Sequence, residues 1–264
     1  MSFLEIVKAE WLMLKGELKQ YYVNYIFYNL GLVTMFIGLF YSLDYKRNSK
    51  EGAILLVGLV MWQLCTSALS YFAYVVTDEA TMGTLEQIFM TRTSLIKVLI
   101  AKATVNFGFN MFKAVILFFI CGLFFQNMSI FMTLGFNNLW IILIVLIVAF
   151  SFYILGLLTA GLALFFKRVG AVTQILNYIL LFFSNITSPI SALPAFIRPI
   201  SYTVTVSWGM ALIRDIITYN DIGAIGAKDL LYFGMSFFGF TFMGMIGFSL
   251  SLKAAKEKGK LGHY

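Results

Sequence analysis

The chain has 264 residues, of which 61% are hydrophobic and 12% charged, and its net charge is +7. Soluble domains carry roughly 25% charged and about 45–50% apolar residues, so a water-soluble globule is excluded. Two cysteines (Cys65 and Cys121), a lone histidine (His263) and 3 prolines exclude a disulfide scaffold and a collagenous chain, and argue against histidine metal centres and Ser-His or Cys-His catalysis.

The N-terminal stretch, residues 1–24, reads as an amphipathic helix. Leu4, Val7, Trp11, Leu14 and Leu18 recur at spacings of three and four, with Glu5, Lys8, Lys15 and Lys19 mostly off that stripe. Such a helix lies in the membrane interface. Six apolar segments follow, each near the ~20 residues that a helix needs to cross a bilayer core: 25–43, 53–76, 103–125, 139–166, 170–187 and 230–252. The fold expected is all-α and integral to the membrane, in one domain, with a basic tail over 253–264. No small-residue cleavage pattern follows the first segment, so it reads as a retained span rather than a signal.

Basic residues set the orientation. With the N-terminus inside, the cytoplasmic side carries Lys8, Lys15, Lys19, Arg92, Lys97, Lys102, Lys167, Arg168, Lys253, Lys256, Lys258 and Lys260. The outside carries only Lys46, Arg47, Lys50, Arg198, Arg214 and Lys228. Both termini are therefore expected in the cytoplasm. In a membrane protein the positive excess reports such loops rather than nucleic-acid binding.

Three further places stand out. Between spans two and three, Asp78 and Glu79 are expected in a first helical turn, where the dipole favours negative charge. Leu85, Ile88 and Phe89 follow as a short apolar face. That segment is either a helix resting on the membrane or a knob for another protein's groove. Between spans five and six, Pro189, Pro194 and Pro199 interrupt a run too apolar for a free loop and too short to span. It reads as a re-entrant or interfacial hairpin on the outer side, followed by a short helix near 207–217. Lys113, ten residues into span three, is roughly 15 Å deep. An intramembrane charge is by default a functional hypothesis; snorkelling or a subunit contact is the alternative.

The six segments contain no Asp or Glu, which disfavours a proton- or sodium-coupled carrier. No GxxxxGK[ST] motif is present, so any ATP must be bound by another chain.

These residues resemble the permease subunit of type-2 ATP-binding-cassette exporters. The resemblance rests on the N-terminal amphipathic helix, six spans, the cytoplasmic Glu79-Ala80-Thr81-Met82-Gly83-Thr84-Leu85-Glu86 run and the outer Ser184-Asn185-Ile186-Thr187-Ser188-Pro189 and Leu193-Pro194-Ala195-Phe196 motifs. Asn185 stands where the family has glycine, and Asn is among the residues best tolerated at φ > 0. No proline follows Thr91, where the family usually has a Ser/Thr-Pro pair.

The resemblance implies a homo- or heterodimer of permease subunits in the plasma membrane, driven by separate nucleotide-binding subunits that carry ATP and Mg. The chain itself would bind no cofactor and catalyse nothing. It implies that Glu79, Gly83, Thr84, Leu85, Glu86, Ile88 and Phe89 form the ATPase-coupling helix. The N-terminal helix, through Leu4, Val7, Trp11 and Leu14, would be the connecting helix. Spans two and five would line the substrate path, offering Trp62, Gln63, Tyr71, Tyr74, Asn177, Tyr178, Phe182, Phe183 and Asn185, with Lys113 nearby on span three. An aromatic wall with a few amides suits an amphipathic drug-like or peptide substrate. Lipid-linked polysaccharide export is the alternative, disfavoured because Glu5, Glu10 and Glu17 balance the lysines before span one. An ATP-independent channel or carrier, or a non-transporting immunity scaffold, is the rival from another class.

Overall fold

A computed structural model describes residues 2–42, 49–90, 94–124, 139–166, 169–186, 190, 194–196, 198–219, 223 and 225–257, with the backbone alone at Ser49, Leu85, Glu86, Phe89 and Lys256. Among the described residues there are helices and turns and no strand. In chain order the helices are α1 (Phe3–Gln20), α2 (Tyr22–Ser42), α3 (Ser49–Thr81), α4 (Thr84–Met90), α5 (Leu95–Phe124), α6 (Leu139–Phe166), α7 (Gly170–Phe183), α8 (Arg198–Thr203), α9 (Thr205–Tyr219) and α10 (Ala227–Glu257). Five of them, α2, α3, α5, α6 and α10, are long and apolar enough to cross a membrane.

The N-terminus of α1 is fixed by a reciprocal cap. The Glu5 amide donates to Ser2 Oγ at 3.3 Å, and the Ser2 amide donates to Glu5 Oε2 at 2.8 Å. The inward face of α1 is rotated from the expected stripe. Ile6 is buried and Glu10 half-buried, whereas Leu4 and Trp11 are exposed. The helical period holds, but the face is chosen by where Glu10 finds a partner, described below.

The core is built on α3 and α6. In α3, 89% of the apolar window is buried against other helices, against 11% in α10 and 17% in α2, so α3 is central and those two are peripheral. On α3 pack α5, α6, α7 and α9, and α10 lies along α6. Close approach of backbones makes the two main crossings. A Cβ on Gly156 would stand 2.7 Å from the Ala68 carbonyl oxygen, and one on Gly244 would stand 2.2 Å from that of Ile154. Small residues at such contacts let dispersion hold helices together where burial from water cannot. Thr159 adds a polar tie between α6 and α3 by donating to the Leu69 carbonyl at 2.8 Å.

At the far end, Arg214 pairs with Glu51 at 2.9 Å and Lys50 donates to the Thr218 carbonyl at 2.8 Å, joining the start of α3 to α9.

Two expectations need correction. Asp78 and Glu79 do not open a helix; they lie in the last turn of α3, which continues to Thr81. The dipole there disfavours negative charge, and Glu79 is compensated by a lysine instead. The expected fifth span, 170–187, ends as a helix at Phe183. At about 1.5 Å per residue its 14 residues rise about 21 Å, short of the ~30 Å hydrocarbon core. The helix stops because Asn185 turns to φ 61, a left-handed conformation. Ser207 Oγ then donates to the Phe183 carbonyl at 3.1 Å and Asn185 Nδ2 to the Ser207 carbonyl at 3.4 Å, so α9 begins against the end of α7. Pro199 sits in the first turn of α8, where no amide is needed, and Pro194 is exposed just before it. Pro189 and the tail beyond 257 lie outside the described residues.

Replacing Gly244 by Ala forces a methyl group against the α6 backbone, and overpacking of this kind costs about 1–3 kcal/mol. Gly239, on the same helix, has nothing within 4 Å of the corresponding position. Thermal unfolding of the purified protein should therefore fall by several degrees for Gly244→Ala and not for Gly239→Ala.

Candidate functional site

The polar end of α3 reaches beyond its apolar length and is closed by a tight turn. The Met82 amide donates to the Asp78 carbonyl at 2.9 Å and the Gly83 amide to the Ala80 carbonyl at 3.2 Å. Gly83 takes φ 72, a conformation costly for residues with a Cβ. This reversal starts α4. The first residue of α4, Thr84, donates its hydroxyl to the Glu79 carboxylate and lies 3.1 Å from the Glu79 carbonyl oxygen.

Glu79 is one link in a chain of charges. Its Oε1 is 3.0 Å from Lys102 Nζ, and the same ammonium is 2.8 Å from Glu10 Oε1. Lys102 is only 6% exposed, so the two carboxylates take the place of water around it. Through this one amine, α1 (Glu10), α3 (Glu79) and α5 (Lys102) are fastened together, and Thr84 extends the connection to α4. Tyr71 adds a bond from α3, donating to the Lys102 carbonyl at 3.1 Å.

Above the junction is a cavity of about 450 Å³ between α1, α2, α3 and α5. Glu10, Glu17, Asp78, Glu79 and Lys102 line it, as do Tyr25, Tyr71, Tyr74, Asn106, Phe109 and Lys113. The Lys113 ammonium lies 5.2 Å from the centre of the Phe109 ring and 5.8 Å from that of Tyr28, and makes no ion pair among the described residues. A cation over aromatic faces is stabilised by the ring quadrupoles. Asn106 accepts from Asn110 Nδ2 at 2.7 Å and from the Tyr153 hydroxyl at 2.7 Å, which fastens the cavity wall to α6.

The residues expected along a substrate path separate into distinct groups. Tyr71, Tyr74 and Lys113 share the cavity. Trp62 and Asn177 instead meet each other where α3 crosses α7: Trp62 Nε1 donates to the Asn177 carbonyl at 3.2 Å, and Asn177 Nδ2 donates to Ser70 Oγ at 3.2 Å. Tyr178 accepts from Gln174 at 3.0 Å and is exposed, as is Phe182. Asn185 is 5% exposed and shapes the bend. Of the expected coupling residues, Glu79, Gly83 and Thr84 form the turn, and Ile88 packs against the core from α4. Of those expected on the connecting helix, Leu14 lines the cavity, Val7 is half-buried, and Leu4 and Trp11 face away from the bundle.

Sequence reasoning missed Glu10 and Lys102. Glu10 reads as one of several charges on an interfacial helix, and Lys102 as a topology-setting lysine at the rim of a span. The only local sign was that Lys102 adjoins an apolar run, where a lysine must snorkel or pair.

With this geometry in view, residues 1–218 match the family described as ABC-2 type transporter. The chain belongs to the ABC-2 type transporter family. A comparison with curated proteins finds no match. The ABC-2 match runs from α1 almost to the end of α9 and so includes the whole α1–α3–α4–α5 junction. This ABC-2 protein is accordingly a multi-pass membrane protein and the permease component of a transporter.

Removing one partner from a buried ion cluster leaves uncompensated charge and costs about 3–5 kcal/mol. Lys102→Met should therefore lower the unfolding temperature of the ABC-2 permease sharply. Adding Glu10→Gln and Glu79→Gln to Lys102→Met should recover much of the loss, because no carboxylate then remains unpaired. An additive or worse triple variant would show that the cluster is not a coupled unit.

Proposed function

We propose that this ABC-2 permease is the membrane subunit of an ATP-driven exporter, and that α4 is the element gripped by a separate nucleotide-binding subunit. The observation that carries the reading is the Thr84–Glu79–Lys102–Glu10 chain. A helix of seven residues, joined to α3 by a glycine turn, is tied by one buried ammonium to the N-terminal helix and to the bundle. A push on α4 is then borne jointly by α1, α3 and α5 rather than absorbed in a loop.

In this reading both termini face the cytoplasm and the protein resides in the plasma membrane. A second permease subunit completes the pathway. α7 together with the segment up to α9 makes the sixth crossing and an outer re-entrant hairpin. ATP and Mg act in the partner ATPase, and no chemistry is assigned to this chain. Export is a population shift: nucleotide state changes the geometry of the ATPase, and the permease follows only because α4 is held differently in each geometry. The cargo is an amphipathic drug-like or peptide molecule, a reading supported by the aromatic and amide residues that line the cavity.

Proline fixes φ near −65° and is incompatible with the φ of 72 at Gly83. Gly83→Pro and Glu86→Ala should each abolish ATP-dependent export from cells or vesicles, and also the stimulation of the partner's ATP turnover, while membrane insertion persists. Wild-type transport in both variants would refute the coupling role.

A further inference from the structure

The cavity between α1, α2, α3 and α5 holds more negative charge than the ion cluster uses. Lys102 satisfies Glu10 and Glu79. Glu17 and Asp78 line the same cavity and enter no ion pair among the described residues. Tyr25 and Tyr74 line the cavity together with them. Two unpaired carboxylates beside two electron-rich rings make a setting in which an ammonium gains from both Coulomb attraction and the ring quadrupoles. The walls beyond are apolar and include Leu14, Val75 and Phe109. Lys113 stands past Phe109, over that ring and Tyr28, so the far end repels a second positive charge. The volume of about 450 Å³ lies within the range of sites for small organic ligands.

We propose that this cavity binds a monocationic amphiphile, with its ammonium between Tyr25, Tyr74, Glu17 and Asp78 and its apolar part running toward Phe109. The charge distribution selects against anions at the carboxylate end and against dications at the Lys113 end. The site deepens, and rests on, the reading that this cavity takes an amphipathic molecule; it does not rest on the coupling role of α4. Binding is read on the permease alone, without ATPase or nucleotide, so failure here and failure of the transport assay are separate results.

The test uses the full-length protein in nanodiscs of digalactosyldiacylglycerol, a neutral lipid without an ammonium group, with empty nanodiscs to subtract partitioning. Radiolabelled decyltrimethylammonium should bind saturably, and decyl sulfate should not. The isosteric double variant Glu17→Gln/Asp78→Asn should weaken the cation by roughly tenfold or more, and Tyr74→Leu by severalfold, while Tyr74→Phe, which keeps the ring, should retain binding. Thermal unfolding of each variant without ligand shows whether it is folded, and the isosteric pair removes no packing. Absence of saturable cation binding to the wild-type protein would overturn the proposal. Equal binding of decyl sulfate, or an affinity unchanged in the double variant, would do the same.

Discussion

A single ammonium, that of Lys102, ties together three helices, α1, α3 and α5, of which α5 packs on both of the others. Its burial removes it from water, and only the two carboxylates of Glu10 and Glu79 make that burial tolerable. Because those carboxylates belong to α1 and α3, the position of the N-terminal helix and the polar end of the central helix are fixed by the same electrostatic constraint. Thr84 on Glu79 passes the constraint to α4. The apolar bundle is stabilised differently, by close backbone crossings at Gly156 and Gly244 and by dispersion. The protein thus has an apolar scaffold and a charged clasp at one end, held by different forces.

Much of the architecture was legible because lipid imposes a simple rule on composition. The helix over Leu139–Phe166 has the bounds of its apolar run, since it is packed in the bundle on one side and apolar on the other, and neither side admits an interruption. The central helix, α3, was longer than its apolar part suggested: polar residues 77–81 continue the helix, and Glu79 is neutralised from α5. The fifth apolar run was shorter as a helix than as a sequence. Apolarity persists to Ile186, but the left-handed turn at Asn185 ends the helix first.

The junction itself was only half readable. Glu79, Gly83 and Thr84 were reached through the Glu79–Glu86 run that resembles the family's, although Glu79 was expected to open a helix and instead lies in the last turn of one. Glu10 and Lys102 fall in no such run. They lie far apart in the chain, and nothing in the periodicity of either helix shows that one faces the other. The rotated face of α1 follows from the same cause: helical spacing gives a stripe, but which stripe turns inward depends on a tertiary partner. The path residues illustrate a related limit. Tyr71 and Trp62 are both aromatic residues on α3, yet one lines a cavity and the other is spent on the crossing with α7.

One feature of the central helix bears on how far motion travels. α3 runs without interruption over 33 residues, about 50 Å, well past the ~30 Å of hydrocarbon. An unbroken rod of that length, pivoting near its start where Glu51 meets Arg214, magnifies small rotations: a 10° inclination swings the opposite tip by roughly 9 Å. The Gly83 turn sits at that tip. The same tilt carries the rod's midpoint roughly half as far, about 4 Å, so any shift at the tip is shared in proportion along α3 by the helices packed on it.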